Sequence, residues 1–160
     1  MTIKVGDSIP SAKLMMATAE GPKEVTTEEL FGGKTVVLFG VPGAFTPTCS
    51  AKHLPGFVTH IAAIKGKGVD TVACMAVNDV FVMGAWGKDQ GVGENVAMLA
   101  DGSAAFTKAM GLEFDLTARG LGVRAQRFAL VAKDGVVTHV AVEAPGAFEV
   151  SSAEAVLAAL

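Results

Sequence analysis

Apolar positions along the chain fall into short blocks, and their period changes from one block to the next. Thr35-Val36-Val37-Leu38-Phe39-Gly40-Val41 is continuous, β-branched and aromatic, which predicts a buried strand. Leu54, Phe57, Val58, Ile61 and Ile64 recur at three- and four-residue steps, which predicts a helix. Between the two lies a polar turn, Pro42 to Cys49, with Thr46 placed as N-cap and Pro47 at the first helical position, where a missing N–H costs nothing.

The rest of the chain divides in the same way. Residues 3 to 9 are a short segment ending at Pro10, and residues 11 to 19 an extended arm or edge hairpin closed by Gly21-Pro22. Thr26 to Phe31 reads as one helical turn. Val69 to Val77 is the next strand, and Asn78-Asp79 caps a helix running to about Lys88. Val96 to Ala100 is a short strand, and Asp101-Gly102-Ser103 turns into a helix carrying Phe106, Ala109 and Met110. Residues 111 to 124 are punctuated by glycine and predict no regular element. Arg127 to Ala132 and Val136 to Glu143 form a hairpin about Asp134-Gly135, and Ser151-Ser152-Ala153-Glu154 fits a capping box opening a last helix. Alternating strands and helices followed by a hairpin predict an α/β fold with a central mixed β-sheet and helices on both faces. No repeat, linker or low-complexity stretch interrupts it, so residues 1 to 160 are expected to form a single domain.

Composition narrows the function. With 51% hydrophobic and 18% charged residues the chain is globular and not disordered. A net charge of -3, with both signs scattered, leaves no basic stripe and argues against a nucleic-acid partner. Glycines, prolines or charges break every apolar run short of membrane-spanning length, and Met1 to Asp7 lacks the apolar core of a signal peptide. The expectation is a cytoplasmic protein.

The candidate chemistry lies in sulfur. Two cysteines, Cys49 and Cys74, with no CxxC spacing, do not describe a disulfide framework in a reducing compartment. Those two and three histidines (His53, His60, His139) show no paired spacing for a metal. Cys49 falls in the first turn of the predicted helix, where the helix dipole and free backbone N–H groups favour thiolate, the reactive form. Cys74 sits mid-strand among Ala73, Met75 and Val77, where burial is the default. His53, four residues after Cys49, shares its helix face. A cysteine–histidine pair points to a thiol hydrolase or transferase, but no third group fixing the imidazole is visible, and a structural or pocket-wall role is the simpler expectation. Gly33-Lys34-Thr35 resembles the end of a phosphate-binding loop, but Glu28 occupies the first glycine position and a strand, not a helix, follows.

Pro42-xxx-Thr46-xx-Cys49 resembles the active-site signature of the peroxiredoxins, thiol peroxidases with a thioredoxin-like fold. Val41 to Ser50 with His53-Leu-Pro-Gly-Phe57 is similar to the type II branch. So are Val77-Asn-Asp79, Trp86, Leu99-Ala-Asp101, Gly111 to Leu116, Arg127-Phe-Ala-Leu130 and Val150 to Glu154. The likeness spans nearly the whole chain. It implies a peroxidase acting on hydrogen peroxide and organic hydroperoxides, in which Cys49 attacks and becomes a sulfenic acid. It further implies that Thr46 holds the peroxide, Pro42 shields the pocket, and Arg127 stabilises the thiolate and polarises the peroxide. Arg124 is the nearby competitor for that last role.

The resemblance asks for no cofactor. Where some members carry a resolving cysteine near the C-terminus, this chain has Glu149-Val150-Ser151. The implied cycle therefore uses one cysteine and an outside thiol, glutathione with glutaredoxin first and thioredoxin second. Family likeness also implies a homodimer touching near the active-site loops, with which Phe45, Phe81 and Trp86 are compatible. A redox sensor on the same scaffold is the alternative from another class. Slow, near-stoichiometric oxidation would distinguish it from sustained turnover.

Overall fold

The computed structural model describes residues 1–160. Its centre is a seven-stranded sheet in the order β2-β1-β5-β4-β3-β8-β9. The strands are β1 (Lys13–Thr18), β2 (Gly21–Thr26), β3 (Thr35–Gly40), β4 (Thr71–Ala76), β5 (Ala97–Ala100), β8 (Phe128–Lys133) and β9 (Val136–Val142). β3, β4 and β5 run parallel, while β1 pairs antiparallel with β5, and β8 with β3. This is a thioredoxin-like α/β arrangement with a mixed sheet, and no helix is long and apolar enough to cross a membrane.

Both faces of the sheet are buried, which is why β3 and β4 read as continuous apolar runs. On one face, Leu54, Phe57 and Ile64 from α2 (Leu54–Thr59) and α3 (Ile61–Gly66) pack with Met83 and Trp86 of α4 (Val80–Asp89) and Val156 of α6 (Ala153–Ala159). On the other, Phe31 of α1 (Thr27–Phe31) and Phe106 of α5 (Ala105–Ala109) cover Leu38, Leu99 and Leu130. Gly40 is required where β3 meets β8, since a Cβ there would lie 2.1 Å from Phe128 Cε1.

Several expectations need correction. Gly21-Pro22 does not close the first hairpin but opens β2, an edge strand where proline's missing donor is tolerated. The last helix is capped by Ser152, whose side chain accepts from the Ala155 N–H, so no Ser151–Glu154 capping box forms. The true capping box pairs Thr26 with Glu29 at α1. Trp86 is fully buried, its indole N–H donating to Ser50 Oγ at 3.0 Å, and it takes no part in the surface. Residues 113–125 are not a loop: β6 (Glu113–Leu116) and β7 (Gly122–Ala125) form a separate two-stranded ribbon around the short 3₁₀ turn Thr117–Arg119.

Candidate active site

Register brings the site together. β3 and β8 are antiparallel with Gly40 opposite Phe128, so Arg127, just before β8, lies beside Val41, where the chain leaves β3 for the Pro42–Cys49 loop. Alternation sends Phe128 and Leu130 to one face, and Arg127 to the other with Ala129 and Val131, the face that holds Cys49. β9 continues the pairing with Phe128 opposite Val142, which brings Glu143 beside Arg127, and the Glu143 N–H donates to the Arg127 carbonyl at 2.9 Å.

The helix after the loop is not a regular one. Helical bonding begins at the Thr46 carbonyl, which accepts from the Ser50 N–H at 3.0 Å. Cys49–His53 then forms a wider π turn, closed by the Leu54 N–H to the Cys49 carbonyl. Pro55 accounts for it: the ring has no N–H to give and crowds the carbonyl four residues back, so the turn opens.

The Thr46 hydroxyl caps no backbone group. It lies 2.6 Å from the Gly43 carbonyl oxygen and 2.9 Å from Cys49 Sγ. One proton serves two acceptors, so the hydroxyl donates to a thiolate, or accepts from a thiol while donating to Gly43. On its other side the sulfur receives Arg127 Nη2 at 3.1 Å. Both donors are side chains, and no backbone N–H bonds the sulfur. Cys49 is fully buried. Arg124 does not reach it: its Nη1 donates to the Pro42 carbonyl at 3.2 Å and its Nε to Leu121 at 2.8 Å, bracing the loop from outside.

Arg127 is held in turn. Its Nη1 donates to His53 Nδ1 at 2.9 Å, and His53 Nε2 lies 2.9 Å from the Ser151 carbonyl oxygen. A carbonyl can only accept and a guanidinium can only donate, so the ring carries its proton on Nε2 and is neutral. Burial drives the His53 pKa down to about 3, with the Arg127 charge adding to the effect and the Ser151 hydrogen bond and the Glu143 charge opposing it. The histidine that sequence left without a third partner thus has two. Ser151, Phe148 and Glu143 carried no sequence signal for this role.

A cavity of about 580 Å³ opens above the sulfur's two partners, lined by Pro42, Thr46, Arg127, Phe114, Leu116 and Pro145 among others. Its far wall comes from the β6–β7 ribbon. Cys74 lies behind the site in β4, fully buried, with no disulfide to Cys49. Burial pushes its thiol well up, the nearby Cys49 adds to this, and Arg127 opposes it.

This arrangement presents a buried sulfur flanked by a hydroxyl and a guanidinium that themselves line the open cavity. Such donors stabilise negative charge on sulfur and on an oxygen leaving it.

Known proteins match along the whole length. Residues 4–157 match the family model described as Redoxin. The chain is 52% identical to peroxiredoxin-2E-2, chloroplastic, of Oryza sativa subsp. japonica, over 99% of this chain and 73% of that protein. It is 48% identical to peroxiredoxin-2B of Arabidopsis thaliana, covering 99% of this chain and 98% of that one. Among solved structures, reduced Prx3 from Vibrio vulnificus in complex with H2O2 superposes with a TM-score of 0.94 at 53% identity, covering 99% of each chain. The chain therefore belongs to the redoxin family and, within it, to the peroxiredoxins, thiol-dependent peroxidases.

Proposed function

We propose that the protein is a peroxiredoxin of the type II branch that reduces hydrogen peroxide and organic hydroperoxides at Cys49 and is regenerated by an outside thiol. The observation that carries this reading is the Cys49 sulfur flanked by Thr46 Oγ1 at 2.9 Å and Arg127 Nη2 at 3.1 Å. The sulfur's electron pair attacks one peroxide oxygen, the O–O bond breaks, and the departing oxygen takes a proton as water or alcohol. Cys49 is left as the sulfenic acid, two electrons oxidised. Thr46 positions the peroxide, Arg127 stabilises the charge passing from sulfur to oxygen, and Pro42, lining the cavity, limits water.

The cycle uses one cysteine. Glu149-Val150-Ser151 offers no second sulfur, and burial keeps the Cys74 thiol from ionising. An added thiol condenses with the sulfenic acid, releasing water, and a second thiol frees Cys49 as a disulfide leaves. Glutathione with glutaredoxin is the first donor and thioredoxin the second. Phe45 (53% exposed) and Phe81 (74% exposed) flank the loops and suit a homodimer contact. Two free thiols suit the cytoplasm.

Stopped-flow peroxide reduction by wild type, Cys49→Ser and Cys74→Ser, with each donor in turn, tests the reading. Sustained turnover that Cys49→Ser abolishes is expected. Slow oxidation that stops after one equivalent would overturn it.

A further inference from the structure

We propose that Glu143 is a positioning residue for this site, setting the direction of the Arg127 guanidinium through Ser151 and His53. The inference rests on the reading of Cys49 as the peroxide-attacking sulfur.

Glu143 is a buried carboxylate whose Oε2 carries most of its hydrogen bonds. The N–H of Glu149 lies 2.9 Å from Oε2 and 3.0 Å from Oε1, the N–H groups of Val150 and Ser151 reach Oε2 at 2.9 Å, and the Ser151 hydroxyl donates to it at 2.7 Å. Three successive backbone donors converging on one anion form a cradle of the kind that binds negative charge. Burial alone would raise the carboxyl's pKa, but the Ser151 hydroxyl and these N–H groups outweigh it and hold it below the ordinary value.

The consequence lies at the far side of Ser151. With its N–H and hydroxyl both bonded to Glu143, Ser151 is held in place at its Cα, and its carbonyl faces His53 Nε2 at 2.9 Å. That bond selects the ring tautomer, which leaves Nδ1 to accept from Arg127 Nη1 at 2.9 Å, and the other arm of the guanidinium then points at Cys49. The same segment, 144–151, carries Phe148, whose ring meets His53 edge-on at 5.1 Å and lies 5.9 Å from the Arg127 guanidinium carbon. Glu143 and Arg127 form no side-chain ion pair. The carboxylate therefore reaches the guanidinium through the segment it anchors and not through a direct contact.

The test combines kinetics with a signal that does not depend on turnover. Single-turnover oxidation of Cys49 by hydrogen peroxide is measured in wild type, Glu143→Gln, His53→Phe and the double variant. Glu143→Gln is expected to slow the step about tenfold, a part of the roughly 100-fold that a misplacement of about 1 Å can cost. In the His53→Phe background the same change is expected to cost less than about twofold, because the chain of contacts is already cut. In nitrogen-edited NMR, the His53 Nε2–H resonance is expected in wild type and lost to solvent exchange in Glu143→Gln. Should Glu143→Gln not fold, Glu143→Asp keeps the charge but shortens the reach, and is expected to show the same dependence on His53. A full-rate Glu143 variant, or a loss that simply multiplies with that of His53→Phe, would overturn the proposal. A wild-type Cys49 inert to peroxide would instead overturn the reading beneath it.

Discussion

Although 78 positions separate them in sequence, Arg127 Nη2 lies 3.1 Å from Cys49 Sγ, while Arg124, three residues nearer the loop, bonds only carbonyl oxygens. The difference follows from strand geometry. Arg127 enters the antiparallel pair beside β3, and Arg124 stays on the β6–β7 ribbon.

The two arginines should therefore respond differently. Arg127→Ala is expected to slow peroxide reduction about 10- to 100-fold, the worth of a charge-assisted hydrogen bond. Arg127→Lys should recover little, because an ammonium cannot hold sulfur and imidazole with one planar fork. Arg124→Ala should stay within about threefold of wild type, consistent with loss of neutral carbonyl contacts. Stopped-flow rates for the three variants check this, and equal losses at both positions would contradict it.

Thr46→Val keeps the shape of the side chain and removes the hydroxyl between Gly43 and Cys49. The expected result is a rate lower by about 10-fold or more, with stability lower by about 1 kcal/mol for the lost hydrogen bond to the Gly43 carbonyl. Urea unfolding and peroxide kinetics read the two separately. A normal rate with reduced stability would leave Thr46 only a loop-bracing role.

Much of the fold was legible because its signals are local. β3 and β4 are continuous apolar runs, Asp79 caps α4, and Asp134-Gly135 marks the β8–β9 turn. The glycines of the β6–β7 ribbon point to a loop, while its one strand signal, the charged–apolar alternation of Glu113-Phe114-Asp115-Leu116, is only four residues long. At the site, the Pro42–Cys49 loop could be recognised as a contiguous motif. His53, Ser151 and Glu143 could not be joined from sequence, because their link runs through a carbonyl and three backbone N–H groups, which every residue possesses.

Cys74→Ser should separate the two sulfurs. The peroxide rate is expected to remain within about twofold, because no hydrogen bond of the Cys49 sulfur involves this side chain. Stability should fall by about 1–3 kcal/mol, since a hydroxyl replaces a thiol on a fully buried apolar strand with no partner to bond. A rate loss matching that of Cys49→Ser would refute the one-cysteine cycle.

His53 gives the folded state a dependence on pH whose sign is set by burial. Its pKa lies near 3 in the folded protein against 6.5 as the reference. Between those values the unfolded chain binds a proton that the folded chain refuses, so stability falls as pH drops through this window. From pH 7 to pH 5 the loss from this one group is about 2 kcal/mol. Glu143, whose folded pKa is also depressed, adds a loss of the same sign only below about pH 4.5, the ordinary glutamate value. Urea unfolding of wild type and His53→Phe at pH 7 and pH 5 isolates the histidine, because every other group is common to both chains. His53→Phe is expected to lose about 2 kcal/mol less than wild type over that interval. An identical loss in both would mean that the imidazole takes up its proton within the fold, and that Arg127 is not donating to Nδ1.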